Sequence, residues 1–153
     1  MGRIKVVAIA ALFPLAMAGC SDDGTEDGTE GQPDETAEAT VAVEDSDLGE
    51  IVVDAEGKTL YVFLADEGTE STCYDDCEEA WPPLTVDGDP VAGEGVDAAL
   101  LGTTEREDGS TQVTIDGHPL YYFASDETAD DINGQGVGEV WFVVSPDGES
   151  IQA

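Results

Sequence analysis

The stretch that decides the fold occurs twice, as Leu60-Tyr61-Val62-Phe63-Leu64-Ala65-Asp66 and as Leu120-Tyr121-Tyr122-Phe123-Ala124-Ser125-Asp126. Both copies read Leu-Tyr-x-Phe-x-x-Asp, and their β-branched and aromatic residues favour a β-strand. Alternation along a strand places the Tyr and the Phe of each copy on one face, where the two copies can stack across a sheet. The Asp then falls at the strand end, where its carboxylate can cap a turn. The chain is therefore expected to contain two divergent copies of one β unit.

A second apolar run precedes each copy and is separated from it by a glycine-containing turn. Ile51-Val52-Val53 leads into the first copy, and Gln112-Val113-Thr114-Ile115 leads into the second. Such pairs of runs are typical of antiparallel hairpins. We expect a mainly β fold, a small antiparallel domain over residues 48–153, with repeat one at about 48–86 and repeat two at about 101–148.

One short helix is predicted between the copies, near Cys73 and Cys77. Asp75 and Asp76 suit the first turn of a helix, and Pro82-Pro83 would end it. Cysteines at positions i and i+4 lie on one helical face, close enough to bridge with modest adjustment. Outside the cytoplasm this spacing favours a disulfide between them.

The N-terminus has the three parts of an export signal. Arg3 and Lys5 precede an apolar run over residues 6–13, and small residues lead to Cys20 in Leu15-Ala16-Met17-Ala18-Gly19-Cys20. The apolar run is too short to span a bilayer, which takes about 20 residues. We expect residues 1–19 to be a lipoprotein signal peptide and Cys20 to be the site of lipid attachment. An ordinary cleaved signal that happens to precede a cysteine is the alternative.

The cysteine count favours lipidation over that alternative. The chain has three cysteines, and a pair formed by Cys73 and Cys77 leaves Cys20 as the odd one. An odd cysteine in an exported chain needs an explanation. The predicted location is therefore the cell envelope, with the protein anchored to a membrane by lipid and facing away from the cytoplasm.

The charge is strongly acidic, with 36 Asp and Glu against 4 Lys and Arg and a formal net charge of −32. Binding to nucleic acid depends on basic side chains that displace counterions from phosphates, so nucleic acid is excluded as a partner. The acidity also suits solubility in salt or weak binding of cations. Residues 20–47 are acidic and nearly free of large apolar side chains, and we expect them to form a disordered tether.

These residues resemble the secreted repeat lipoprotein family, which is described by a Tyr-x-aromatic-x-x-Asp motif. Besides the two motif copies, the resemblance rests on Gly57-Lys58-Thr59-Leu60-Tyr61, Cys73 and Cys77 running into Trp81-Pro82-Pro83-Leu84, Gln112 through Gly117-His118-Pro119-Leu120-Tyr121, and Gly134-Gln135-Gly136 followed by Trp141. The family implies an exported lipoprotein of unknown function. Some of its relatives are loosely associated with alkane catabolism.

The motif residues allow two interpretations. They are either core aromatics with a turn-capping carboxylate, or a strip that binds a ligand. The candidate binding surface consists of Tyr61, Phe63, Asp66, Tyr121, Phe123, Asp126 and Trp141.

Reactive and metal-binding patterns are weak. No serine lies in a Gly-x-Ser-x-Gly elbow, and we predict neither an enzyme nor a cofactor. Cys73, Cys77 and the sole histidine, His118, could form a copper site, since thiolates and imidazole suit soft metals. A calcium loop near Asp126, Asp130, Asp131 and Asn133-Gly134 lacks the EF-hand spacing, which leaves a loop site of another kind as an alternative. No metal ligand is predicted.

The preferred interpretation is a membrane-anchored, non-enzymatic module that binds a protein or a small molecule. Two alternatives remain. The first is an envelope redox or copper-handling protein acting through Cys73, Cys77 and His118. The second is an accessory protein for hydrophobic substrates such as alkanes, acting through exposed aromatic side chains.

Overall fold

The computed structural model describes residues 40–153, and the predicted signal peptide, Cys20 and the predicted tether up to residue 39 lie outside it. The described part contains seven strands and one α-helix. Their bounds are β1 Val41–Ser46, β2 Gly49–Asp54, β3 Tyr61–Phe63, α1 Asp76–Ala80, β4 Leu101–Glu105, β5 Thr111–Ile115, β6 His118–Pro119 and β7 Trp141–Val143. Within this part, none of the helices has the length and apolar character needed to cross a bilayer.

The strands form three small antiparallel sheets. They pair as β1 with β2, β3 with β7, and β4 with β5 and β6. The predicted hairpins, which join residues 51–53 and 112–115 to the two motif copies, form only next to their turns, as the bridge from Val53 to Thr59 and the short pairing of β5 with β6. Longer hairpins, β1–β2 and β4–β5, open the two copies. The fold is therefore mainly β, with antiparallel sheets and one short helix, as expected.

Strand β1 corrects the predicted boundary between tether and domain. Val41–Ser46 lies inside the range 20–47 that was expected to be disordered, yet it pairs with β2 in a ladder that aligns Val43 with Val52. Val41 is fully buried. The ladder and this burial offset the entropy lost on ordering the segment. The folded domain therefore includes Val41–Ser46 and does not begin at residue 48.

The last segment of each copy pairs with the other copy. Strand β7 belongs to the second copy but pairs with β3 of the first. In return, the segment after α1 pairs with the second copy, where the Leu84 N–H donates to the Leu120 carbonyl at 3.0 Å. At the centre, Tyr61 and Tyr121 exchange N–H to carbonyl bonds of 2.9 Å in both directions. The two copies consequently share one folded unit.

The core has two clusters. One is aliphatic and includes Val52, Leu60, Val113 and Leu120. The other is built from residues of both copies, and half of its eight buried members are aromatic, namely Tyr61, Trp81, Tyr121 and Trp141.

The predicted disulfide is present between Cys73 and Cys77, whose Cα atoms are 5.2 Å apart. Helix α1 starts at Asp76, and no side chain caps its first turn. Thr72, just before the disulfide loop, donates its N–H and its hydroxyl to Asp66. The disulfide therefore ties the start of a helix of five residues to the loop that precedes it.

Candidate functional site

The Tyr and the Asp of the two motif copies pair reciprocally. The Tyr61 hydroxyl donates to Asp126 Oδ2 at 2.6 Å, and the Tyr121 hydroxyl donates to Asp66 Oδ2 at 2.7 Å. Each tyrosine thus bonds to the carboxylate of the other copy. Hydrogen bonds to a charged acceptor are shorter and stronger than neutral ones. The repeated motif is therefore a pair of bonds that locks one copy to the other.

Other donors hold both carboxylates in place. Asp66 Oδ1 accepts from the Thr72 N–H at 2.7 Å and from the Thr72 hydroxyl at 2.6 Å. Asp126 Oδ1 accepts from the Asn133 N–H at 2.9 Å. Since both oxygens of each carboxylate are bonded, each one organises its own loop while it also receives the tyrosine of the other copy.

Four aromatic rings stack in a row between the copies. Phe63 lies over Trp141 at 4.3 Å, Trp141 over Trp81 at 3.9 Å, and Trp81 over Phe123 at 4.2 Å between ring centroids. Each motif tyrosine meets one tryptophan edge-on, at 5.4 and 5.1 Å. Stacked and edge-on pairs stabilise a core by more than the area they bury.

Burial keeps the tyrosine hydroxyls protonated. Burial raises the pKa of Tyr61, and the hydrogen bond to the Asp126 carboxylate raises this pKa further. Burial also raises the pKa of Tyr121, while the Ser71 hydroxyl lowers it and the Asp66 carboxylate raises it. Burial disfavours the charged phenolate, so both hydroxyls act as neutral donors.

These contacts correct the predicted binding surface. Four of its seven residues are buried, namely Tyr61, Asp66, Tyr121 and Trp141. The other three, Phe63, Phe123 and Asp126, are half-buried. Across the copies, the rings stack on one another and the tyrosine hydroxyls donate to the carboxylates. The strip as a whole is therefore not open to a ligand. The structure shows core aromatics with loop-organising carboxylates, the other interpretation of the motif.

Arg106, which the sequence analysis did not single out as a site, is buried with 2 % of its surface exposed. Its guanidinium donates three bonds of 2.9 Å, to the Ser71 hydroxyl, Gln112 Oε1 and the Cys73 carbonyl. It also lies 3.1 Å from the half-exposed carboxylate of Glu78. Arg106 therefore joins the second hairpin to the disulfide loop of the first copy.

A chain of hydrogen bonds continues from this guanidinium to a motif carboxylate. The Ser71 hydroxyl and the Tyr121 hydroxyl lie 2.6 Å apart. Since the Tyr121 hydroxyl uses its hydrogen in the bond to Asp66, the Ser71 hydroxyl must be the donor to Tyr121. The direction of donation is thus the same from Arg106 to Asp66, and such bonds strengthen one another. The sequence feature that could have pointed to Arg106 is the rarity of cations, because only Lys58 and Arg106 follow the predicted signal peptide.

The residues considered for metals are engaged otherwise. Cys73 and Cys77 are bonded to each other, so neither offers a thiolate to copper beside His118. Asp131, a candidate calcium ligand, accepts the Glu127 and Thr128 N–H groups at 2.9 Å, which lower its pKa. Over residues 40–153, no group of three or more His, Cys, Asp or Glu side chains is arranged to hold a metal ion.

A cleft of about 280 Å³ lies where the first hairpin meets the second motif copy. Its wall contains the carboxylate of Asp54, which three hydrogen bonds hold in place. Asp54 Oδ2 accepts from the Tyr122 hydroxyl at 2.8 Å, and Asp54 Oδ1 accepts from the N–H groups of Glu56 and Lys58. Burial raises the pKa of Tyr122, and Asp54 raises it further. The cleft is lined by Asp54, Glu56, Lys58, Thr59, Pro82, Tyr122, Phe123, Ala124 and Asp126.

A family of secreted repeats of unknown function matches the chain twice, over residues 42–85 and 102–145. The two matches cover more than half of the chain. The chain belongs to this family. The resemblance predicted from the motif copies is thereby confirmed, and a secreted repeat is consistent with a location outside the cytoplasm. No curated protein and no solved structure matches the chain.

Proposed function

We propose that this secreted repeat protein is an exported lipoprotein, attached to the outer face of a membrane through Cys20, and that its two-copy domain is a non-enzymatic binding module. The observation that carries the anchor is the disulfide. Cys73 and Cys77 are paired, and the remaining cysteine, Cys20, follows the small residues that end the signal. Two or more acyl chains on such a residue give stable membrane attachment.

The non-enzymatic part of the proposal is supported by the state of the motif groups. The tyrosine hydroxyls that could donate protons in a reaction are engaged as hydrogen-bond donors to Asp66 and Asp126 inside the core. Raised pKa values keep these hydroxyls neutral. The motif thus acts as a structural lock that holds the two copies in one orientation.

Fractionation of cells tests the anchor. The unaltered chain is expected in the membrane fraction, and Cys20→Ser is expected in the soluble exported fraction, because serine has no thiol for the thioether. Mass analysis of the mature N-terminus should show a diacylglycerol on Cys20 only in the unaltered chain. A Cys20→Ser protein that still sediments with membranes would contradict the anchor.

The matched control is the double variant Cys73→Ala and Cys77→Ala. It removes two cysteines but leaves Cys20, so it is expected to stay in the membrane fraction although the domain loses stability. Release of this variant together with loss of the lipid mass would show that anchorage does not depend on Cys20 alone.

A further inference from the structure

The two motif copies differ where the second copy lines the cleft. The shared Tyr and Asp serve the lock between the copies, while the intervening positions hold Val62 and Leu64 in one copy and Tyr122 and Ala124 in the other. Tyr122 and Ala124 both line the cleft. The divergence of the copies therefore changes this cleft and leaves the core contacts intact.

The opposite wall shows the same divergence. Pro83 bridges to Tyr121 as Val143 pairs with Tyr61, so Pro82 in the cleft corresponds to Phe142 in the other half. Phe142 is buried at 9 % exposure. Where one half of the molecule has a bulky apolar side chain, the cleft side has a smaller proline.

Lys58 lies on the rim of this cleft and is half-exposed. In residues 40–153, the ion pair within 4.0 Å is the one between Arg106 and Glu78. The Lys58 ammonium is thus unpaired in the described part of a chain that has 36 acidic residues. It is available to an anionic group of a ligand, with three donors.

Three carboxylates line the cleft with Lys58, and two of them are fixed in position. Tyr122 holds Asp54 and Tyr61 holds Asp126, and each carboxylate retains lone pairs for a further donor. The third carboxylate is that of Glu56. Together the three carboxylates would repel an anion alone, and a cation alone would leave the Lys58 ammonium without a partner. The charges of the cleft match a ligand with an ammonium and a carboxylate group on one small frame.

We propose that the cleft binds a free α-amino acid with an apolar side chain. The side chain would pack on Phe123 and Pro82, the α-carboxylate would pair with Lys58, and the α-ammonium would face Asp54 and Asp126. The volume of about 280 Å³ lies just below the range of about 300–1,000 Å³ for ligand pockets, which suits a molecule of this size. This inference rests on the proposed binding function and names its ligand class.

Calorimetry on the full chain in detergent tests the ligand. L-phenylalanine is expected to give saturable heat, because it carries both charges and an apolar ring. Phenylalaninamide lacks the carboxylate and N-acetylphenylalanine lacks the ammonium, and each is expected to bind at least about tenfold more weakly, since a charged hydrogen bond contributes about 1.5–3 kcal/mol. Absence of saturable heat with both L-phenylalanine and L-leucine, or binding of either derivative as tight as that of L-phenylalanine, would overturn the proposal.

Three variants place the binding in the cleft. Lys58→Gln is expected to weaken L-phenylalanine binding about tenfold or more, and Ala124→Leu is expected to abolish it by filling the cleft with the side chain that the other copy carries. Leu64→Ala, the matched control in that other copy, should bind as the unaltered chain does. Ala124 and Leu64 are both exposed, so unaltered near-ultraviolet dichroism is expected.

Normal binding by Ala124→Leu would overturn the proposed location. Failure of these binding tests is distinguishable from failure of the anchor, because anchorage is measured by fractionation and by the lipid mass on Cys20.

Discussion

Trp81 and Trp141 lie parallel at 3.9 Å between ring centroids, with only 3° between their planes. They occupy equivalent positions in the two copies, and each belongs to the segment that its copy gives to the other. Their contact is the centre of the four-ring stack, so the association of the copies depends on it.

Loss of either tryptophan should destabilise the whole domain. Trp81→Ala and Trp141→Ala are each expected to lower the free energy of unfolding by about 3–5 kcal/mol, the usual cost of truncating a buried large aromatic side chain. Denaturant unfolding gives the value. Because the two rings touch, the double variant should cost less than the sum of the single variants. Strict additivity would contradict a direct stacking contact.

The lock between Tyr61 and Asp126 should show the same coupling. Tyr61→Phe removes one donor and is expected to lower the free energy of unfolding by about 1–3 kcal/mol, since the half-buried Asp126 carboxylate loses its partner. Asp126→Asn, combined with it in a double-mutant cycle, isolates the pair. Tyr74→Phe is the control, because the Tyr74 hydroxyl accepts only one long bond of 3.3 Å at the surface. Equal losses in Tyr61→Phe and Tyr74→Phe would contradict the lock.

Stability should fall in alkali because of three tyrosines. Burial raises the pKa values of Tyr61, Tyr121 and Tyr122 above the ordinary value of about 10. Above that pH the unfolded chain releases protons that the folded chain keeps, so the free energy of unfolding decreases as pH rises. Their contribution is complete below about pH 10 and is lost above it.

Absorbance of tyrosinate measures this effect alongside unfolding. The absorbance of these three residues should appear together with loss of the folded signal above about pH 10. Tyr122→Phe should make the pH dependence of unfolding shallower by about one proton. Full ionisation of all tyrosines near pH 10 in a chain that is still folded would contradict the burial of their hydroxyls.

The sequence was sufficient to predict the repeats, the antiparallel fold and the disulfide, because each depends on local patterns. Alternating apolar residues, glycine-containing turns and the spacing of Cys73 and Cys77 are visible without tertiary structure. The early start of the domain was missed, because the short run around Val41 and Val43 is flanked by acidic residues and gains its stability only from pairing with β2.

The exchange of segments between the copies could not be predicted from the sequence. Both motif copies have a Tyr and an Asp, and nothing in the linear order shows that Tyr61 bonds to Asp126 and not to Asp66 within its own copy. The interpretation as a binding strip failed for the same reason. The alternation of a strand shows which side chains share a face, but not whether another part of the chain covers that face.

Arg106 should contribute far more to the free energy of unfolding than the half-exposed cation Lys58, although both carry one charge. Arg106→Met removes the donor from the Ser71 hydroxyl, Gln112 Oε1 and the Cys73 carbonyl. It is expected to lower the free energy of unfolding by about 3 kcal/mol, because buried polar groups are left without partners. Lys58→Met removes the other cation of the domain from the surface and should change stability by less than about 0.5 kcal/mol. Similar losses in thermal unfolding of both variants would indicate that net charge, and not the buried network, accounts for the effect.

A larger residue at Gly134 should destabilise the domain, because the Cα hydrogen that a side chain would replace faces the aromatic core. A Cβ at this position would lie 2.8 Å from atoms of both Trp81 and Tyr61, whereas a Cβ at Gly88 would meet nothing within 4 Å. The Gly134 N–H also donates to the Tyr61 hydroxyl at 3.2 Å. Gly134→Ala should therefore displace rings of the stack and lower the free energy of unfolding by about 1–3 kcal/mol through overpacking. Denaturant unfolding with Gly88→Ala as the matched control measures the difference, and equal stabilities of the two variants would mean that the stack is loose enough to absorb a methyl group.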